Sequence, residues 1–91
     1  MQLPYILSKV YHPDFILPNG IIVEAKGLFR PEDRTKMKAV KAAHPNLDIR
    51  FLFMDASKKL NKRAKMTYAG WAEANGFPWA DGTSIPKEWL R

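Results

Sequence analysis

Residues 11–27, YHPDFILPNGIIVEAKG, decide how this chain folds. Pro18-Asn19-Gly20 separates two apolar runs, 11–17 and 21–26, which is the pattern of a β-hairpin closed by a three-residue turn with Gly20 in the left-handed conformation. In that register Leu17 faces Ile21, Ile16 faces Ile22 and Phe15 faces Val23, so Asp14 falls opposite Glu24. Opposed residues hold their Cβ atoms about 4.5–5.5 Å apart, and like charges placed so are destabilising unless something neutralises them. Lys26 lies two residues beyond Glu24 and projects from the same face. A bulge at the turn would shift this pairing by one residue.

The segments on either side extend the hairpin into a sheet. Pro31 suits a first helical position, Glu32 and Asp33 suit the positive end of the helix dipole, and His44-Pro45-Asn46 stops the helix. Met37, Val40 and Ala43 give that helix, 31–44, an apolar face, and Arg34, Lys38 and Lys41 line another. Residues 48–55, DIRFLFMD, are apolar on both faces around Phe51, Leu52, Phe53 and Met54, as in a central strand covered from both sides. Strand 21–26, helix 31–44 and strand 48–54 therefore make a right-handed β-α-β crossover. Residues 4–8 read as an edge strand and 57–65 as a polar basic loop. A further helix runs from an N-cap at Thr67 to Asn75-Gly76. A short strand and a last helical turn at 86–90 close the chain.

Composition bounds the rest. The 91 residues, 46% of them hydrophobic, suffice for one domain with a modest core, taken as 1–91. Fifteen Lys and Arg against nine Asp and Glu leave a net charge of +6, which favours a polyanionic partner: nucleic acid first, an anionic membrane second. No apolar run approaches the roughly 20 residues of a membrane span, and residues 1–10 lack the features of a signal peptide. A soluble, cytoplasmic protein is expected. The absence of cysteine removes disulfides, thiolate nucleophiles and cysteine-held metals. Any metal must be held by oxygen or histidine.

Two carboxylates and an ammonium converging beside a parallel crossover suggest chemistry. Hard oxygen ligands suit Mg²⁺ or Mn²⁺, which can polarise a phosphoryl oxygen and activate water, while Lys26 could stabilise developing negative charge or orient the water. Phosphodiester hydrolysis is the reaction class that fits. The spacing alone is loose, and two solvent-facing acids with a partnering lysine would satisfy it as well.

The residues YHPDFILPNGIIVEAKGLF, Asp33-Arg34, HPNLDIRFLF (44–53), SKKLNK (57–62), TYAGWAEANGFPWAD (67–81) and IPKEWL (85–90) resemble the PD-(D/E)xK nuclease superfamily. More closely, they resemble the phage T7 endonuclease I family of Holliday-junction resolvases. The resemblance implies a PD-(D/E)xK restriction-endonuclease-like core with a mixed β-sheet flanked by helices. It also implies divalent-metal-dependent cutting of branched DNA by paired nicks, as a dimer, in recombination and DNA breakdown in the infected host cell. By the family's motif Asp14 is the metal-bridging aspartate, Glu24 the second metal-binding carboxylate and Lys26 the catalytic lysine. The Ala25 carbonyl is a further metal ligand. The family also has an N-terminal segment that brings another active-site glutamate and a strand exchanged between subunits. In this sequence the first acid is Asp14. The expectation is a chain N-terminally short relative to the family, whether naturally short, half of a split enzyme or a fragment. Such a chain would hold one metal well at most, and would act either alone or as a DNA-binding module needing a partner chain. Residues 4–11, which match the family's bridge between subunits, could pair with another copy or a partner chain.

Lys58, Lys59, Lys62, Arg63 and Lys65 form the densest basic cluster and are candidates for phosphate contacts, against the alternative of a solvated loop. Arg34, Lys36, Lys38 and Lys41 read mainly as solubilising. Tyr68, Trp71, Phe77, Trp79 and Trp89 read as packing residues rather than base-stacking ones. His12 shares a strand face with Asp14 but is not expected to bind metal, and His44 reads as capping the helix dipole.

Overall fold

A computed structural model describes residues 2–6 and 9–91. Gly20 adopts φ of +90°, as the turn requires. Around it the Gly20 N–H bonds the Leu17 carbonyl at 2.9 Å and the Leu17 N–H bonds the Ile21 carbonyl at 2.8 Å. Strand pairing follows in the expected register, Ile16 with Ile22 and Phe15 with Val23. The turn is pinned from outside by Asn19, whose side-chain amide donates to the carbonyls of Trp89 at 2.6 Å and Arg91 at 2.9 Å.

In chain order the elements are β1 (Leu3–Ile6), β2 (Lys9–Tyr11), β3 (Phe15–Ile16), β4 (Ile22–Lys26), α1 (Pro31–Ala43), β5 (Ile49–Phe53), α2 (Tyr68–Ala74) and β6 (Trp79–Asp81), with a closing 3₁₀ turn at Lys87–Leu90. Strands β3-β4-β5-β6 form one mixed sheet, antiparallel at β3–β4 and parallel at β4–β5 and β5–β6. The fold is α/β, and β4-α1-β5 is the expected crossover.

The two faces of the sheet are covered differently. Strand alternation sends Ile22, Ile49, Phe51 and Phe53 to one side, where they pack with Met37 and Val40 of α1, Tyr68, Trp71 and Ala72 of α2, and Tyr11 of β2. Val23 and Leu52 face the other way, onto Leu17, Ile21 and Trp89. Both α-helices thus share one face, and the 3₁₀ turn covers the other. Phe29 lies at the centre of the helix side, with ring centroids 4.9–5.6 Å from Phe51, Phe53, Tyr68 and Trp71, and its N–H donates to the Tyr68 hydroxyl. That anchors the chain three residues after Lys26.

Several sequence readings are corrected here. The run 11–17 is not one strand: Tyr11 ends β2, which pairs with β1 in a separate two-stranded ribbon, and β3 is only Phe15–Ile16. Pro13, with no N–H to donate, interrupts the ladder between them. The edge strand expected over 4–8 is Leu3–Ile6 and is not an edge of the main sheet; Leu7 and Ser8 lie outside the described residues. Ala43 is exposed, so the buried face of α1 is Met37 and Val40. Met54 is also exposed, because β5 ends at Phe53 and the chain turns there. His44 is the C-cap of α1, its N–H donating to the Val40 carbonyl at 2.9 Å, and its ring also donates from Nε2 to the Pro4 carbonyl, tying α1 to the ribbon. Tyr68, Trp71, Phe77 and Trp89 are buried as packing residues, and Trp79, half-buried, packs against the same helix-side core as Tyr68, Trp71 and Phe77. Thr67 caps α2 as expected, its hydroxyl accepting from the Gly70 N–H at 3.0 Å.

Candidate active site

β4 runs between two strands and turns one face into the helix-side core, so the residue at its third position must be enclosed. That residue is Glu24, 2% exposed, beside Phe51 of β5 in the parallel register. A carboxylate there needs hydrogen bonds or a counter-charge. One comes from across the hairpin, where the Asp14 N–H donates to Glu24 Oε2 at 2.9 Å. The bond is returned one residue on: the Ala25 N–H donates to Asp14 Oδ2 at 3.2 Å. The two acids therefore clasp each other's strands, with Glu24 buried and Asp14 exposed. The opposed pair survives although formal strand pairing stops at Phe15–Val23, because side chain to backbone bonds replace the ladder beyond that point.

Lys26 follows on the same strand face. Its ammonium lies 3.9 Å from Asp33 Oδ1 in the first turn of α1, and both side chains are partly exposed. Asp33 Oδ2 also accepts the Arg30 N–H at 3.0 Å, closing a capping box at the start of the helix. One carboxylate thus starts α1 and stands beside the lysine. The Lys26 carbonyl accepts the Met54 N–H at 3.0 Å, which holds the ends of β4 and β5 together.

Electrostatics act strongly on Glu24. Burial pushes Glu24 above the ordinary carboxylate range and the nearby Asp14 charge adds to it, while the Asp14 N–H, Tyr11 and Lys26 pull it back. Burial likewise pushes the Tyr11 phenol well above its ordinary value, with Glu24 contributing. Among the described residues Glu24 has no ion pair, and no group of three or more His, Cys, Asp or Glu side chains converges closely enough to hold a metal. The oxygen donors brought together are those of Asp14 and Glu24 with the backbone of Ala25 between β4 neighbours.

Over residues 1–91 the sequence matches the phage endonuclease I family. The chain belongs to that family. It is 41% identical over 93 aligned positions to endonuclease I of Escherichia phage T7, covering 99% of this chain and 62% of that protein. It is 41% identical over 83 positions to endodeoxyribonuclease 1 of Enterobacteria phage T3, covering 88% of this chain and 55% of that protein. The chain thus spans about three fifths of the length of these relatives.

In this member of the family the structure brings Asp14, Glu24, Ala25 and Lys26 together on and beside β4, and the basic cluster lies in its own exposed loop. Lys58, Lys59, Lys62, Arg63 and Lys65 are all exposed. Their loop is closed by a bridge between Lys59 and Thr67 and by the Leu60 N–H donating to the Met66 carbonyl. Lys36 places its ammonium 5.6 Å from the Tyr11 ring centroid, and Lys41 lies 4.8 Å from that of Phe77, so these two lysines also pack. His12 is exposed. Two residues at the site escaped the sequence reading. Asp33 read only as a helix-start acid, because its approach to Lys26 depends on how α1 leaves the sheet. Tyr11 read only as a strand residue, although its position three residues before Asp14 was a usable signal. No described helix is long and apolar enough to cross a membrane.

Proposed function

We propose that residues 1–91 form one PD-(D/E)xK nuclease domain acting as a divalent-metal-dependent endodeoxyribonuclease that cuts or nicks branched DNA, resembling the Holliday-junction resolvases. The observation that carries the reading is the clasp between Asp14 and Glu24, with a buried acid that has no ion pair among the described residues beside an ammonium on the same strand. A divalent cation supplies the charge that Glu24 lacks, and the donor set of two carboxylates and a carbonyl is hard oxygen throughout. Asp14, Glu24 and the Ala25 carbonyl would hold Mg²⁺ or Mn²⁺. When bound, such an ion polarises the phosphoryl oxygen and makes water a better nucleophile at neutral pH.

Lys26 is placed at the scissile phosphate, where its ammonium stabilises the negative charge that builds as the phosphorus is attacked. Asp33 restrains that side chain without quenching it, because the pair is long and partly solvated. Lys58, Lys59, Lys62, Arg63 and Lys65 contact backbone phosphates and hold the duplex arms. A second copy or a partner chain pairs through residues 4–11, where Val10 of β2 is 42% exposed. The dimer is checked by sedimentation, where the mass of one chain at micromolar concentration would count against it.

A second reading keeps the fold and the DNA contacts but makes the chain a binding module completed by a partner. It is favoured by the convergence of only two carboxylates among the described residues. Nicking of a labelled four-way junction and a matched linear duplex in Mn²⁺, with Lys26→Ala as control, decides between them. Junction nicking that disappears in the variant supports the nuclease; DNA binding with no cleavage supports the module.

A further inference from the structure

Tyr11 is fully enclosed, 0% exposed, and its hydroxyl is a buried oxygen with no hydrogen-bond partner among the described residues. A hydroxyl left so lowers stability, and phenylalanine would fill the same space without that cost. The hydroxyl is not in an indifferent place, since the acids around it are Glu24 and Asp14. The ring is held from two sides. Tyr11 closes β2 opposite Leu3, and the Lys36 ammonium lies over its face. The phenol is therefore aimed by packing, with its donor unused.

Glu24 has a matching vacancy in its bonding. One oxygen takes the Asp14 N–H, and a carboxylate offers about four lone-pair sites on two oxygens. A hydrogen bond donated to an ionised carboxylate is charge-assisted and stronger than one between neutral groups. We propose that Tyr11 is a positioning residue of the metal site: its phenolic O–H donates to the Glu24 carboxylate when a divalent cation engages that carboxylate, and so fixes its rotation toward the ion. This rests on the reading that Asp14 and Glu24 hold the cation. It accounts for a buried hydroxyl that the fold alone does not need.

The test is Mn²⁺ binding to the full chain without DNA, read by electron paramagnetic resonance, for wild type, Tyr11→Phe and Glu24→Gln. Thermal melting of each without metal accompanies it. Wild type is expected to bind and Glu24→Gln to lose binding. Tyr11→Phe is expected to melt no lower than wild type yet to bind about 10–100-fold more weakly, the usual cost of losing a group that orients a ligand. Tyr11→Phe binding as tightly as wild type overturns the inference and leaves the metal reading standing. Wild type and Glu24→Gln binding alike overturns both. A second measurement avoids any dependence on how Tyr11→Phe folds. In wild type labelled at tyrosine Cζ, Mg²⁺ should shift the Tyr11 resonance, and in Glu24→Gln it should not; a Tyr11 signal unmoved by Mg²⁺ in wild type overturns the proposal.

Discussion

The hairpin carrying Asp14, Glu24 and Lys26 and the loop carrying Lys58 to Lys65 hold most of the chain's interesting charge, and they treat it in opposite ways. In the hairpin, the acids bond each other's backbone, one is buried at 2% exposure and the lysine leans on Asp33. In the loop all five cations stand in solvent, and none takes part in an ion pair among the described residues. Buried charge is expensive and so must be organised, while exposed charge is screened and nearly free to vary. In the proposed function, chemistry falls to the first region and attraction to the second on that physical difference.

The comparison breaks most visibly if the hairpin's precision does not depend on the core beneath it. Phe51 is 0% exposed, neighbours Glu24 across the β4–β5 register and stacks 5.3 Å from Phe53. Phe51→Ala should destabilise the fold by about 3–5 kcal/mol, measured by urea unfolding. A cost below about 1 kcal/mol would mean that the sheet does not hold the site.

The next largest effect separates catalysis from attraction. Lys26→Ala should slow junction nicking by about 10²–10³-fold, the scale for removing one group that stabilises developing charge, while junction affinity stays close to wild type. Equal losses in affinity and rate would make Lys26 another phosphate anchor and erase the distinction between the two regions.

Glu24 offers a sharper view of buried charge through pH. Its value is raised in the folded chain from the ordinary 4.5, so between that value and the raised one the folded state binds more protons than the unfolded state. Stability without metal is therefore greatest below the ordinary value and declines as pH rises through the raised one. Glu24→Gln should remove that part of the decline and melt higher than wild type at neutral pH without metal. A wild-type melting temperature that climbs with pH across the same interval, and climbs less in Glu24→Gln, would contradict the direction.

The smallest structural effect belongs to the loop. Lys62→Ala with Arg63→Ala should change stability by no more than about 0.5 kcal/mol and flatten the plot of log affinity against log salt by about 2, near 0.9 for each lost contact on duplex DNA. An unchanged slope would return the loop to the role of a solvated surface.

Much of this was legible in the amino-acid order because the signals were local. Pro18-Asn19-Gly20 specified the turn, and with it the register of Phe15 and Ile16 against Val23 and Ile22, since turn length sets which residues oppose. Pro31 with Glu32 and Asp33 marked the start of α1, Thr67 marked that of α2, and the unbroken apolar run at 49–53 marked a strand covered on both sides. The alternation that aligns Glu24 with Lys26 is likewise a property of any strand.

Tertiary structure alone decided the rest. The ribbon of β1 and β2 takes Tyr11 out of the hairpin, because Pro13 interrupts a run whose apolar pattern is otherwise continuous. Which face of the sheet receives both helices, and so whether Glu24 ends in the core or in water, depends on how α1 and α2 pack on Phe29, Phe51 and Phe53. Asp33 beside Lys26 and the Tyr11 hydroxyl beside Glu24 are contacts between elements set by the angles at which those elements meet. Propensity and periodicity describe one element at a time, and a site made where three of them converge exists only once they are packed.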